Sequence, residues 1–332
     1  RPEVEASDAE RPPTRRSPEA SARPIGPRRI LALVVGASGF LSMVYEVAWF
    51  RVLANVLGGT VHAFTSMLGV FLVGVGVGSV LGTAFLPKRG SPNAPVAIGL
   101  FAIGAGAMSS LLFVNRLPVW YAELFWLFRG GDSLVGHAAA QAALAAIVVL
   151  PTALAMGWLF PLALRAYERL GTGGQDRRDA SELYGLNTFG GICGSLACGF
   201  VFLPRLGLTS TLVLAAASSA LLALVVIAVP MREEARTGRL ALAGVGLATL
   251  ALAGLSIPRL DHLELHRGVF FRIQATRASS QVDALRASDM RLLYYREGLQ
   301  GSVSVTSGED LALHISGKPV ATTEYHDRVH LA

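Results

Sequence analysis

Seven long apolar stretches dominate the pattern of hydrophobic and polar positions along the chain. They run approximately over residues 30–53, 62–86, 96–115, 136–164, 183–203, 209–230 and 240–257, and the last is the shortest. A helix needs about 20 apolar residues to cross ~30 Å of hydrocarbon. The pattern therefore predicts a mainly α-helical protein, a polytopic transmembrane bundle of about seven spans.

Polar segments flank and interrupt these stretches. Residues 1–29 are rich in Pro, Arg, Glu and Ser and contain no apolar core, which predicts a disordered basic tail without a cleavable signal peptide. Because the chain begins with Arg, we expect a fragment of a longer protein. The segment "LPVWYAELFWLFRGGD" is too short to span but suits an interfacial helix, through its aromatic residues Trp120, Tyr121, Phe125, Trp126 and Phe128.

The period of the pattern changes near the C-terminus. After a polar linker over 258–290, Val303 and Val305 alternate with Ser302, Ser304 and Thr306, and Leu311, Leu313 and Ile315 alternate in the same way. With turns predicted at "SGED" and "SGK", residues 291–332 read as a small antiparallel β-domain that ends in a helix capped by Thr322 or Thr323. A sheet this small cannot bury its own core, so it needs a partner.

Composition supports a membrane location. Of the 332 residues, 52% are hydrophobic and 16% are charged, and the mean hydropathy is +0.49, whereas soluble domains carry about 25% charged residues. The net charge of +6 would suit a nucleic-acid partner, but the Arg residues lie in short segments between apolar runs, so we expect a lipid bilayer and no nucleic acid. Cys193 and Cys198 share one apolar run, which indicates neither a disulfide framework nor a metal site.

The distribution of Lys and Arg predicts a cytoplasmic N-terminus. Sixteen of them lie in the tail or follow the second, fourth and sixth spans, against four in the opposite connections, namely Arg51, Arg116, Arg129 and Arg205. With seven full crossings, the C-terminal β-domain would lie on the outer side.

Small residues at helical spacing predict close helix packing. Gly74, Gly78 and Gly82 recur every four residues, as do Gly190 and Gly194, so each set lines one helix face and lets a neighbour approach. Both spans are expected to be buried in the bundle. Pro151 and Pro161 are expected to kink or break the fourth span, either along a transport path or as a bend that its neighbours accommodate.

Glu46 is the clear intramembrane acid, about 10 Å from the outer end of the first span. Arg51 lies about 140° round the helix, so direct pairing is awkward, and Asn187 and His62 are alternative polar neighbours. Glu46 is either a proton- or substrate-binding acid or a structural hydrogen-bonding group.

Several motifs resemble a known family. "YREGLQGSVSV", "ISGKPVATT" and "EYHDRVHLA" look like the N-terminal β-domain of spermidine synthases, the polyamine aminopropyltransferases. "FLSMVYEVAWFRVL", "LPTALAMGWLFPLALRA" and "LYGLNTFGGICGSLACGFVFLPRLG" are similar to bacterial proteins that fuse a major-facilitator-like membrane domain to a spermidine synthase. The resemblance covers residues 30–332.

The resemblance implies substrate-binding roles for Gln300 on a strand and for Tyr325 and His326 at the following helix, close to the amine. It also implies a following Rossmann-like domain that binds decarboxylated S-adenosylmethionine and supplies the catalytic acids, and we expect the sequence to be truncated before this domain, at Ala332. The chain is therefore expected to be inert alone and to hold no catalytic residue.

The intact protein, by this resemblance, transfers an aminopropyl group to putrescine or a similar amine in polyamine biosynthesis, from a bacterial inner membrane. Two alternatives stay open: a transporter or sensor of amines or other small molecules, with Glu46, Arg51 and Asn187 as polar candidates, and a membrane scaffold. An oligomer is compatible with either. A domain that uses this donor should face the cytoplasm, which conflicts with the charge count. Three alternatives stay open: residues 240–257 do not fully cross, the "VWYAELFWLF" region adds a crossing, or the domain is external and does different chemistry.

Overall fold

The computed structural model describes residues 26–85, 93–170, 176–228, 236–255, 260–265, 269–270, 290–308 and 310–323. The predicted tail and most of the predicted linker lie outside these residues. The helices are α1 (Pro27–Leu57), α2 (Val61–Ala84), α3 (Asn93–Leu112), α4 (Leu117–Leu127), α5 (Leu134–Arg169), α6 (Asp176–Ala197), α7 (Leu203–Ala228), α8 (Arg236–Leu255) and α9 (His262–Leu265). A 3-10 turn (Val114–Arg116) precedes α4, and a π-helical turn (Cys198–Phe202) joins α6 to α7.

Five helical segments of the described chain are long and apolar enough to cross a membrane: α1, α2, α3, α5 and the continuous stretch Arg178–Ala228. The last comprises 51 residues and contains Gly207, whose φ of 77° and ψ of 172° are not helical. α8 contains a shorter apolar helix, Leu240–Thr249. The expectation of a mainly helical membrane protein is confirmed.

Contacts between helices fix their relative directions. Arg28 of α1 pairs with Asp179 of α6, and further along both helices the Cys198 thiol lies 3.5 Å from the Val44 carbonyl oxygen, so α1 and α6 run parallel. α7 runs antiparallel to α1. Leu208, near its start, contacts Glu297 next to the Gly298 carbonyl that Arg51 binds, whereas Ser219, further along α7, bonds to Tyr45, which precedes Arg51 in α1.

The predicted glycine faces are real contact faces. A Cβ at Gly78 would overlap the Leu154 carbonyl oxygen of α5, and a Cβ at Gly194 would overlap the Phe40 carbonyl oxygen of α1. The expected burial of both spans is wrong, however, since α2 and α6 each expose the opposite face, for example Val80 and Phe189. The glycines bring each helix against one neighbour and leave its large apolar side chains for lipid.

α5 runs without a break through Pro151 and Pro161. Of the two predicted effects, a break of the span is therefore excluded, and a kink stays a prediction. Each proline removes one hydrogen bond of the helix, and in a membrane the bonds on both sides and the neighbouring helices hold the remaining turns together.

The predicted aromatic helix is α4, whose 11 residues are too few to span. Tyr121 and Phe125 are buried in the protein, whereas Trp126 and Phe128 are exposed. The helix therefore packs part of its aromatic surface into the bundle instead of lying wholly in an interface.

The C-terminal region forms a four-stranded antiparallel meander of order β1-β2-β3-β4. Its strands are β1 (Arg291–Glu297), β2 (Ser302–Ser307), β3 (Leu311–Ile315) and β4 (Lys318–Thr322). Ser316 and Gly317, both with positive φ, form the two-residue turn between β3 and β4. The predicted sheet and the turn at "SGK" are confirmed; Glu309 of the predicted "SGED" turn and the predicted helix after Thr323 lie outside the described residues.

Along β2 the polar side chains form the buried face. Ser302, Ser304 and Thr306 are fully buried, while Val303 and Val305 are half-buried. Thr306 Oγ1 lies 3.0 Å from His314 Nε2 on β3, so part of this face is a cross-strand hydrogen-bonded layer.

Candidate functional site

Arg51 connects the helical bundle to the sheet. Its side chain is 7% exposed, and its guanidinium donates to the Gly298 carbonyl at 3.0 Å and to the Leu299 carbonyl at 2.8 Å. Both carbonyls belong to the turn between β1 and β2. Since a guanidinium presents donors in a planar fork, one side chain fixes two consecutive carbonyls of this turn.

Asn55 lies one helical turn after Arg51 and binds the next part of the hairpin. Ser302 Oγ donates to Asn55 Oδ1 at 2.8 Å. Gly317, in the turn between β3 and β4, approaches the Asn55 backbone so closely that a Cβ there would overlap the Asn55 carbonyl oxygen. The end of α1 therefore holds both turns at this edge of the sheet.

Glu297, the last residue of β1, makes a third connection. Its Oε1 atom accepts hydrogen bonds from the Leu208 backbone N–H at 3.0 Å and from the Tyr295 hydroxyl at 2.8 Å. Leu208 follows the non-helical Gly207, so the carboxylate satisfies a backbone donor that the interrupted helix leaves open.

An aromatic pair lies beside this carboxylate. The rings of His262 and Tyr295 stack at 4.0 Å between centroids. Burial lowers the pKa of His262, against the raising effect of the nearby Glu297 and Asp261 carboxylates, and burial together with the Glu297 charge raises the pKa of Tyr295. Both rings are thus held in their neutral forms near pH 7.

Gln300, predicted to lie on a strand, lies instead in the turn between β1 and β2. Its side chain is exposed, and it follows Leu299, whose carbonyl Arg51 binds. The expected strand position is wrong because β1 ends at Glu297 and β2 begins at Ser302. Tyr325 and His326 lie outside the described residues, and their predicted roles, like that of Gln300, stay predictions.

The three intramembrane polar candidates do not come together. Arg51 binds the turn of the sheet. Asn187 packs against Gly39, which lies seven residues, or about 10 Å along α1, from Glu46 toward the helix N-terminus. Glu46 itself is half-buried. His62, the other predicted neighbour, lines a separate pocket of about 370 Å³ together with Asp132 and His137.

A second cavity, of about 310 Å³, lies between α1, α2, α5 and α6 and is partly open to the outside of the bundle. Most of its lining is apolar, and its polar lining groups are Ser38, Ser42, Ser79, Tyr184 and Asn187. Among the described residues, no group of three or more His, Cys, Asp or Glu side chains is arranged to hold a metal ion.

Sequence reasoning placed Arg51 in an outer connection and missed Asn55 and Glu297. The sequence held one signal for Asn55: it lies four residues after Arg51 at the end of an apolar helix, and polar residues at this spacing share a helix face. Nothing local marks Glu297, since its partner Leu208 is 89 residues away in the chain.

Comparison with known proteins finds a distant relative. Polyamine aminopropyltransferase 1 of Streptomyces coelicolor (strain ATCC BAA-471 / A3(2) / M145) is 26% identical over 256 residues, which cover 75% of this chain and 43% of that protein. The chain thus spans less than half the length of this curated relative. No family model and no solved structure matches. The similarity supports a relationship to polyamine aminopropyltransferases.

Proposed function

We propose that this chain is the membrane part and the first sheet of a polyamine aminopropyltransferase-like protein in a bacterial inner membrane. The intact protein transfers an aminopropyl group from decarboxylated S-adenosylmethionine to putrescine or a related amine. The similarity to the Streptomyces protein carries this proposal, and the motifs around Gln300 agree with it.

The reaction is a direct displacement at the carbon next to the sulfonium. The amine nitrogen forms the new C–N bond, the C–S bond breaks, and the thioether leaves while the nitrogen loses one proton. The protein must align the two reactants and accept that proton. Gln300, Tyr325 and His326 would bind and orient the amine, because an amide, a phenol and an imidazole can accept ammonium hydrogens.

The membrane helices, on this proposal, position the transferase sheet. Arg51 and Asn55 hold the chain on both sides of Gln300, Arg51 through the Leu299 carbonyl and Asn55 through the Ser302 hydroxyl. A substrate-binding side chain in a turn gains a defined position when the turn itself is bound at two points.

Transfer is tested with the intact protein in lipid nanodiscs, supplied with putrescine and decarboxylated S-adenosylmethionine. We expect spermidine to form, with activity lost in Tyr325→Phe and reduced in Gln300→Ala. Arg205→Ala, which changes an exposed residue at the sheet end of the bundle, serves as the control. Folded protein that forms no product from any of several diamines would refute the transferase proposal.

We further propose seven crossings with a cytoplasmic N-terminus. The reversal at Gly207 supports counting Arg178–Ala228 as two crossings, and α8 would supply the seventh. The sheet contacts the end of α1 opposite Arg28, so one crossing of α1 separates the sheet from the N-terminus. With a cytoplasmic N-terminus the sheet would lie outside, so this orientation and transfer from a cytoplasmic donor are competing proposals, and the labelling experiment below separates them.

Orientation is measured by labelling Gln300→Cys in intact cells with a membrane-impermeant maleimide, in a variant without Cys193 and Cys198. Labelling from outside would support the charge-based orientation and would argue against transfer from a cytoplasmic donor. Labelling only after lysis would contradict the proposed orientation and would indicate that the sheet lies on the cytoplasmic side, where the donor is.

Transport or sensing of an amine is the second candidate. It is favoured by Glu46, a half-buried carboxylate within a membrane-spanning helix. Uptake of putrescine into proteoliposomes that is lost in Glu46→Gln, with transferase activity intact, would establish it. If neither transfer nor uptake is observed, a scaffold becomes the better description.

A further inference from the structure

Two tightly packed helix pairs flank the second cavity, which is partly open on the side of the exposed Tyr184. In one pair, Gly74, Gly78 and Gly82 of α2 meet α5 at close range; in the other, Gly190 and Gly194 of α6 meet α1 in the same way. Side chains from all four helices line the cavity, so it lies at the seam between the pairs. The glycines bring the two helices of each pair into direct contact, and the space that remains between the two pairs, here called the seam, is the cavity.

Polar groups at this seam are left with hydrogen-bonding capacity. Ser38 and Ser42 donate to carbonyls of their own helix, Val35 and Ser38, and keep their oxygen lone pairs. Within the described chain, the Ser79 hydroxyl and the Asn187 side-chain amide have no hydrogen-bond partner. Both residues are half-buried. A polar side chain that faces hydrocarbon without a partner is unfavourable, so these two groups suit a bound partner.

The lining limits the chemistry of that partner. No charged side chain lines the cavity, and Glu46 is not among the lining residues. A cation or an anion would therefore enter without a counter-charge, at a large desolvation cost. The volume of about 310 Å³ is at the small end of the ~300–1,000 Å³ range of ligand pockets and holds about ten groups the size of a water molecule.

We propose that the seam between the α1–α6 pair and the α2–α5 pair binds a neutral, mostly apolar molecule that carries a hydroxyl or carbonyl group. The apolar part contacts Phe71, Met156 and Phe160, and the polar group bonds with Ser79 and Asn187. This inference is independent of the proposed transferase activity.

The test uses a photoreactive, diazirine-bearing octanol with the intact protein in phosphatidylcholine nanodiscs, and mass spectrometry to locate the adducts. We expect adducts on cavity-lining residues that excess octanol abolishes. Ser79→Ala and Asn187→Leu should each weaken labelling by about fivefold, as the loss of one hydrogen bond predicts. Ser42→Phe should block it by filling the space.

Ser195 supplies the matched controls. It lies on α6 at membrane depth, is partly exposed, does not line the cavity, and donates its hydroxyl to the Ile192 carbonyl. Ser195→Ala and Ser195→Phe should leave the labelling unchanged. If Ser42→Phe fails to fold, the smaller Ser79→Ala and Asn187→Leu changes still decide the matter.

Competitors define the ligand class. Competition by octanol or by dioctanoylglycerol supports the proposal. Stronger competition by octanol indicates a small alcohol as the ligand, and stronger competition by dioctanoylglycerol indicates a membrane lipid. Equal competition by octane would overturn the role of the polar groups. Stronger competition by octylamine would overturn the neutral ligand, and labelling that is not saturable, or is unchanged in all cavity variants, would show partition into lipid only.

Discussion

The Arg51 guanidinium lies 2.8 Å from the Leu299 carbonyl oxygen, a contact between residues 248 positions apart in the chain. It joins the end of the first membrane helix to the first turn of the sheet. Hydrogen bonds from a charged donor are stronger than neutral ones, and this one is largely shielded from water.

Arg51→Ala should therefore release the hairpin. It removes two charge-assisted hydrogen bonds, each worth about 1.5–3 kcal/mol, and leaves two carbonyls without their donor. We expect much faster hydrogen exchange and proteolysis over 297–302, with the helices unchanged. Arg205→Ala, an exposed arginine at the same end, should have no effect, and equal exchange in both variants would contradict the anchoring role.

Two serines on one face of β2 should respond in opposite ways to alanine. Ser302 donates to Asn55, so Ser302→Ala should cost about 1 kcal/mol of stability and leave Asn55 Oδ1 unsatisfied. The Ser304 hydroxyl is buried without a hydrogen-bond partner in the described chain, so Ser304→Ala should be neutral or stabilising. Thermal unfolding of the single variants and of Asn55→Ala/Ser302→Ala measures both the contrast and the coupling.

Glycines of α2 should also separate into two classes. Gly78→Ala should destabilise the protein by about 1–3 kcal/mol, because its Cβ would overlap the Leu154 carbonyl oxygen and force α2 away from α5. A Cβ at Gly76 meets nothing within 4 Å, so Gly76→Ala should be tolerated. Melting temperatures in one detergent give the comparison, and similar losses in both variants would argue against backbone contact at Gly78.

The sheet should lose stability as the pH falls below about 6.5. Burial lowers the pKa of His314 from its ordinary value of 6.5, so the unfolded chain takes up a proton there before the folded sheet does. Stability is full above pH 6.5 and decreases below it. Hydrogen exchange of 302–315, corrected for its intrinsic pH dependence, should show this decrease in the native protein.

His314→Gln removes the titration and keeps a hydrogen-bonding group for Thr306. Its exchange should depend less on pH between about 8 and 5 than that of the native protein. The exposed His62→Gln variant is the control, and His262 is present in all three proteins. An identical pH dependence in His314→Gln would contradict the assignment.

Sequence predicted the elements well and their connections poorly. Hydrophobic runs and the alternation through Val303 and Val305 are local, and they found the helices and the sheet. The docking of Arg51 on Leu299 and of Glu297 on Leu208 joins distant segments, and no local pattern encodes which pair will meet. The buried polar face of β2 was similarly hidden, because alternation predicts two faces but does not say which one is covered.

The hydrogen bond from Leu208 to Glu297 has a consequence for the order of biosynthesis. When the ribosome has completed α7, the donor at its start has no protein acceptor, because the carboxylate is encoded 89 residues later. The connection between α6 and α7 can therefore complete its hydrogen bonding only after β1 has been synthesised and has packed against the bundle. Completion of the α6–α7 connection is thereby coupled to folding of the sheet, and pausing translation before residue 297 should leave this connection sensitive to protease.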